Sequence, residues 1–391
     1  MLKVDLIFTK TIYGPTGDCS FVRSMKEQKA LFAEQGIDLH IITPDLFINH
    51  QELKTLGKPT WKHHVFAALN RFSALAVRLY VYLRYQKSCD RLLKYYENIE
   101  DKGQVVAFQE IMACERFLYL FPDCKQKIIL TLHSDGSFWE MWYYNLPRLK
   151  SFLLKEFRKR VENTLLKNVD MFGFVADLPR KKFCSLYDIK DNKTFFVYNG
   201  IPSKPFNEHK ATDKVNLICV GTLGDRKNQI GILNAVAMMD EEHQRQISIT
   251  LVGDGDAREQ LEAKAKTLIS DVLFTGSTRE VEAYLHQANL FCLFSRSEGL
   301  PISIVEAMRA GLPIIGSNVA GIPEQITDGE TGFVVELNER ELSDRLEYII
   351  EHLELLPEMG KASYLLFQKN FTIEAMVTKY AKVYKGVISQ D

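Results

Sequence analysis

Twelve short apolar runs constrain this chain more than any other feature. Val4–Phe8, Leu39–Ile42, Val105–Phe108, Ile128–Leu132, Phe172–Val175 and Phe195–Val197 come first; Leu217–Val220, Ile247–Val252, Val272–Phe274, Leu290–Phe294, Pro313–Ile315 and Phe333–Val335 follow. A run that is apolar at nearly every residue, rather than at alternate ones, suits a strand covered on both faces of a parallel sheet. Helical patterns lie between the runs: Phe21–Gln35 with Gly36 placed to close it, Ala257–Leu268, and Glu341–Leu353. Two sets of six strands predict an α/β chain of two doubly wound parallel-sheet domains; a closed eight-stranded barrel is the rival that the restart disfavours.

Charge divides the chain at the same place. Met1–Asn199 carries 30 Lys and Arg against 22 Asp and Glu, whereas Gly200–Asp391 carries 19 against 28. A chain of +8 and −9 halves is expected to give two domains with different partners. The boundary falls in YNGIPSKPFNEHKATDK, Tyr198–Lys214, with two Pro, one Gly and few apolar residues. With 46% hydrophobic and 25% charged residues the chain is neither disordered nor a small disulfide-stapled module, and its net charge of −1 argues against a broadly basic nucleic-acid binder. Seven scattered cysteines, without Cys-x-x-Cys or Cys/His metal spacing, read as reduced thiols in a cytoplasmic protein. The N-terminus MLKVDLIFTK lacks the pattern of a signal peptide, and no run is long enough to span a bilayer.

The most informative stretch is Ser297–Ser317, SEGLPISIVEAMRAGLPIIGS. Pro301 suits the first position of a helix that ends near Ala310, and Gly311 suits its left-handed cap. Glu298, Gly299 and Leu300 therefore sit at the carboxyl end of a strand and the amino end of a helix, where free N–H groups and the helix dipole favour a phosphate. Read in isolation, Glu298 is a cap and Glu306 a surface glutamate. The position of Glu306 between Val305 and Ala307, in a helix with few charges, weakens the surface reading and leaves an acceptor for sugar or ribose hydroxyls as the alternative. A second stretch, VGTLGDRKNQ (Val220–Gln229), ends a strand in a glycine-containing turn with Arg226 and Lys227, a cation pair suited to a diphosphate or equally to a solvated turn. VGDGD (Val252–Asp256) resembles part of a nucleotide-binding turn without its third glycine. His133, directly after Ile128–Leu132, is read as either a satisfied core histidine or a site residue at a strand end.

In this order the blocks resemble the retaining glycosyltransferases of family 4. The matching blocks are Asn199-Gly200, Val220–Asn228, Val252–Gly255, the Glu298/Glu306 pair and GIPEQITDGETGFVV (Gly321–Val335). The resemblance implies the GT-B architecture, two Rossmann-like domains facing a central cleft. Residues 1–199 would form an acceptor-binding domain, with a C-terminal helix at about 372–391 crossing back, and residues 200–371 a donor-binding domain. It implies that Glu298 holds donor-sugar hydroxyls, Gly299 and Leu300 meet sugar or phosphate, Glu306 holds the ribose, Lys227 binds the diphosphate and His133 lies near the transferred sugar. Gly17, Thr222, Gly253, Gly255, Pro301 and Ser303 complete the expected donor contacts. The sequence departs from the family at Thr222, where an Arg is common and Arg226 is the candidate replacement. It departs again in the first glycine turn, Gly14–Asp18.

The expected reaction is transfer of a sugar from a nucleotide diphosphate sugar, with a UDP-sugar the leading candidate, to a hydroxyl of a glycan or lipid-linked glycan in bacterial surface polysaccharide or glycoconjugate synthesis. Hexosyl or N-acetylhexosaminyl transfer with retention is implied, with catalysis by His133, Glu298, Lys227 and Arg226, no cofactor and no metal. Asp135 and Glu110 are the carboxylates to consider as a nucleophile. The alternatives are an epimerase of the same architecture and a non-catalytic sugar-nucleotide-binding subunit. The aromatic loop Ser134–Tyr144, SDGSFWEMWYY, either stacks on an acceptor sugar or packs in the core. Trp61–Lys87 mixes an apolar stripe with cations, which fits a covering helix or the anionic inner face of the plasma membrane.

Overall fold

A computed structural model describes residues 1–14, 17–47, 73–206 and 212–389. All twelve expected strands form. They are β1 (Leu2–Ile7), β2 (Ile37–Ile42), β3 (Val105–Phe108), β4 (Lys127–Leu132), β5 (Met171–Phe174), β6 (Thr194–Phe196), β7 (Val215–Val220), β8 (Ile247–Val252), β9 (Val272–Gly276), β10 (Leu290–Leu293), β11 (Ile314–Ser317) and β12 (Gly332–Val335). Every ladder is parallel. The strands make two sheets, β2-β1-β3-β4-β5-β6 and β12-β11-β10-β7-β8-β9, so the two-sheet α/β prediction is correct and the barrel is not formed. β3, β4, β5 and β10 are buried at nearly all positions because helices cover both faces.

Two compact units divide the chain: Met1–Val197 with Met376–Asp391, and Tyr198–Ala375. The C-terminal helix Ile373–Ile388 brings the chain back to the first unit, where Tyr380 and Tyr384 are fully buried and Tyr380 meets the rings of Phe21 and Phe195. The core of the first unit is aromatic, with Phe108, Phe117, Phe172, Phe174 and Phe183 all shielded from solvent. Boundaries differ from the sequence reading where local backbone geometry intervenes. The Phe21–Gln35 pattern is two helices, Gly17–Glu27 and Lys29–Glu34, jogged at Gln28. Pro301 precedes the helix Ile302–Arg309 as its N-cap, with extended backbone at ψ 120°, rather than opening it. Gly36 and Gly311 take the left-handed conformation at the expected stops, φ 74° and 78°.

Residues 61–72 of the Trp61–Lys87 pattern lie outside the described residues. Its described part contains the helix Ala74–Val81, started by Ser73 Oγ accepting from the Ala76 N–H at 3.2 Å. Ala74, Val77 and Val81 face the core, while Leu75, Leu79 and Leu83 stand in solvent. Among the described residues, no helix is long and apolar enough to cross a membrane, and no disulfide joins the seven cysteines.

Candidate active site

The order of the second sheet locates its site. Read from β9, the strands run β9-β8-β7-β10-β11-β12, so the winding direction reverses between β7 and β10. Loops leaving the carboxyl ends of two such strands diverge to opposite sides and leave a crevice. The loop after β7 holds Gly221–Asn228; the loop after β10 holds Phe294–Pro301. The two stretches singled out in the sequence are therefore neighbours.

Direct contacts strap the loops together. Lys227 Nζ lies 2.8 Å and Arg226 Nη1 2.9 Å from Glu298 Oε1. Arg226 Nη1 also donates to the Ser297 carbonyl at 2.8 Å. The Arg296 N–H donates to the Arg226 carbonyl at 2.8 Å, and Arg296 Nη2 to Asn228 Oδ1 at 2.8 Å. Behind Glu298, Ser317 Oγ donates to the Ser295 carbonyl at 2.7 Å, Asn199 Nδ2 to the Leu300 carbonyl at 3.3 Å and Gln325 Nε2 to the Pro301 carbonyl at 3.1 Å. Glu298 is 5% exposed. Burial alone would raise its pKa, but Lys227 and then Arg226 outweigh that and hold it below the usual carboxylate range. An ionised carboxylate facing two cations at a helix amino end can accept hydroxyl hydrogen bonds while the cations hold an anion.

Glu306 lies on the helix Ile302–Arg309 that follows this loop. It lines a cavity of about 130 Å³ with Lys204, Pro205, Glu282, His286, Arg309 and Ala310. Burial, opposed by Arg309 and reinforced by Glu282, raises its pKa. Ser303 Oγ is buried without a hydrogen-bond partner. Thr222 is exposed. Gly253 and Gly255 are packing positions for the loop backbone: a Cβ at Gly253 would stand 2.1 Å from the Gly221 carbonyl oxygen, and one at Gly255 2.2 Å from that of Leu223.

The first sheet reverses its winding between β1 and β3. There Glu110 Oε2 accepts from the Thr9 N–H at 2.8 Å and the Thr9 hydroxyl at 2.6 Å, and Lys10 pairs with Asp18 and Glu110. Asp135 is buried and paired with Lys182 at 2.7 Å. Gly17 opens the helix Gly17–Glu27. His133, half-buried at the end of β4, packs edge-on against Phe21 with ring centroids 4.9 Å apart, and its Nε2 is 2.8 Å from Gln109 Oε1. In the aromatic loop Phe138 and Trp139 are 2% and 3% exposed and belong to the core, which removes both from a sugar-stacking surface. Of the two readings of this loop, core packing is the one that holds for both, and it is set by Phe172, Phe183 and Phe157 from other segments.

Burial lowers the His133 pKa from 6.5 to about 4. The unfolded chain therefore takes up a proton near pH 6.5 that the folded chain refuses until about pH 4. The stability from a neutral His133 is complete above pH 6.5 and is lost as pH falls toward 4. Urea titrations of His133→Gln and the parent should show a shallower loss for the variant over that window; parallel curves would place the slope elsewhere.

Residues 201–365 match the family model described as glycosyl transferases group 1. They form a group 1 glycosyl transferase domain. Over 245 residues the chain is 30% identical to the O-antigen biosynthesis glycosyltransferase WbnH of Escherichia coli, covering 63% of this chain and 66% of that protein. Over 229 residues it is 32% identical to a Campylobacter jejuni enzyme named for α-1,4-N-acetyl-D-galactosaminyl transfer to a diNAcBac-PP-undecaprenol-linked glycan, covering 58% and 59% of the two chains. The chain spans only part of the curated relatives it matches, from 30% to 66% of the length of four of them. The structure of Anabaena Alr3699/HepE in complex with UDP-glucose aligns over 99% of this chain and 100% of that one at a TM-score of 0.70 and 14% identity, a likeness of fold. That fold is GT-B.

Sequence reasoning about the group 1 domain missed Arg296 and gave Asn228 no role beyond the end of a matching block. Asn228 has positive φ, 52°, and its side chain anchors Arg296. A signal was present: an asparagine directly before a helix, where the left-handed conformation is tolerated. In the first unit Gln109, which holds His133, was also missed. Among the described residues no group of three or more His, Cys, Asp or Glu side chains is placed to hold a metal ion.

Proposed function

We propose that this chain is a retaining glycosyltransferase of family 4 that moves a hexosyl or N-acetylhexosaminyl group from a nucleoside diphosphate sugar, a UDP-sugar first among candidates, to a hydroxyl of a glycan or lipid-linked glycan in bacterial surface polysaccharide synthesis. The observation that carries this reading is the convergence of Arg226 and Lys227 on Glu298 at the switch point of the second sheet. The named activities of WbnH and of the C. jejuni enzyme, and the UDP-glucose in the HepE structure, support the choice of substrates.

In the proposed reaction the bond between the anomeric carbon and the phosphate oxygen breaks, and its electron pair leaves with the diphosphate. The acceptor oxygen bonds to the same face of that carbon, and its proton passes to the departing phosphate. Charge grows on the diphosphate as the sugar gains oxocarbenium character, so preplaced cations lower the barrier without reorganising. Lys227 and Arg226 take the phosphate charge, with the amino end of Ile302–Arg309 adding its dipole. Glu298, ionised by those neighbours, accepts from sugar hydroxyls. Glu306 accepts from the ribose; Gly299, Leu300 and Pro301 line the turn after Glu298, and Ser303 the first turn of the helix that carries Glu306. His133 is assigned to the transferred sugar, and residues 1–199 to the acceptor.

Glu306→Ala tests this assignment. Losing hydrogen bonds to a charged acceptor should raise the donor KM by about 10- to 100-fold with a smaller change in kcat. The measurement is nucleoside diphosphate release across a panel of nucleotide sugars, with and without a glycan or lipid-linked acceptor. Unchanged KM would take Glu306 out of the donor site; sugar interconversion without acceptor would replace the transferase by an epimerase.

A further inference from the structure

We propose that the first unit docks on an anionic lipid bilayer through a face built from two separate stretches of chain, residues 73–87 and 147–160. The helix Ala74–Val81 packs against the short turns Pro147–Lys150 and Phe152–Leu154. Val77, Val81, Leu149 and Leu154 point inward and fix both stretches to the core. Their neighbours point outward: Leu75 is 73% exposed, Phe152 81% and Leu153 74%, and Leu79 and Leu83 are also exposed. Phe-Leu at the tip of a turn anchored by Leu154 is a side-chain pair held in water by the fold itself.

Charge selects the occupant. The two stretches together hold nine Lys and Arg and one carboxylate, Glu156. Arg84, Lys87, Arg148, Lys150, Lys155 and Lys159 are exposed, and Lys155 Nζ stands 5.8 Å from the Phe152 ring centroid. Apolar tips set among lysines and arginines suit the boundary between headgroups and acyl chains, where the rings and leucines enter hydrocarbon and the cationic groups meet phosphates. A protein interface would instead deplete lysine at its centre. Each cation near an anionic leaflet strengthens binding by about fivefold, an effect that salt screens. The proposal does not depend on the reaction and stands if the transferase reading fails.

Flotation of the full chain with phosphatidylcholine vesicles, with and without about 30% phosphatidylglycerol, at low and high salt tests it. The parent should float with anionic vesicles at low salt and be released by high salt. Phe152→Glu with Leu153→Glu, and separately Lys150→Glu with Lys155→Glu, should each cut the bound fraction by about tenfold while leaving circular dichroism and Tm unchanged, because all four side chains are exposed. Absence of binding to anionic vesicles at low salt would overturn the proposal. So would equal binding by the Phe152/Leu153 variant, or a self-association of the parent that this variant abolishes without any lipid binding.

Discussion

Replacing Lys227 with alanine is expected to lower kcat/KM for sugar transfer by about 100- to 1,000-fold, the usual effect of removing one preplaced group that stabilises charge developing in the transition state. The Lys227 side chain is 11% exposed and its Nζ lies 2.8 Å from Glu298, so its field acts through little water. Most of the loss should appear in kcat, because the diphosphate carries more charge when leaving than when bound. Lys227→Arg should recover part of the rate, since the charge returns but a planar fork replaces a point charge in a fitted space. The fold should survive, because Arg226 still neutralises Glu298. Nucleoside diphosphate release at saturating donor reads the first effect and a thermal melt the second. Equal rates for Lys227→Ala and the parent would take this lysine out of the chemistry.

Gly253→Ala is expected to destabilise the second unit by about 3–5 kcal/mol, combining the strain of a non-glycine residue at positive φ with overpacking against backbone. Gly253 has φ 139°, and its added Cβ would meet the Gly221 carbonyl oxygen at 2.1 Å. Neither backbone can yield easily: the Gly221 N–H donates to Val252 at 2.9 Å, and the Gly253 N–H to Gly276 at 3.1 Å. The control is Gly224→Ala in the neighbouring loop, where nothing lies within 4 Å of the new Cβ; it should stay within about 0.5 kcal/mol. Urea unfolding of both variants gives the comparison, and similar midpoints would show that the β7 and β8 loops can separate at little cost. The contrast also bears on function, because the Gly253 clash would push on the loop that carries Arg226 and Lys227.

The strands were legible because most are apolar at nearly every residue, with a few polar exceptions such as Asp5, Thr131, Ser248 and Thr250. A strand covered on both faces is apolar at successive residues, so Val105–Phe108 could be bounded to the residue, and Ile247–Val252 was bounded as well although Ser248 and Thr250 interrupt its run. Helix ends were legible where one residue type dominates the stop, as at Gly36 and Gly311. Pro301 was misplaced by one position because a proline suits both the cap and the first turn, and only its ψ of 120° separates them. The Glu298 and Lys227 assignments came from residue type at a strand–helix turn and from resemblance, and neither could supply a distance.

Local sequence, then, determined two six-stranded parallel sheets and which turns carry cations and carboxylates, since solvent exclusion and backbone geometry act over a few residues. Strand order belonged to the tertiary structure. Setting β10 beside β7 brings Arg226 and Lys227 to Glu298, about 70 residues along the chain, and lets Arg296 tie the two loops. The same long-range packing buried Phe138 and Trp139 and left Phe152 and Leu153 in water. Two adjacent apolar pairs reach opposite environments because burial depends on what distant segments place against them.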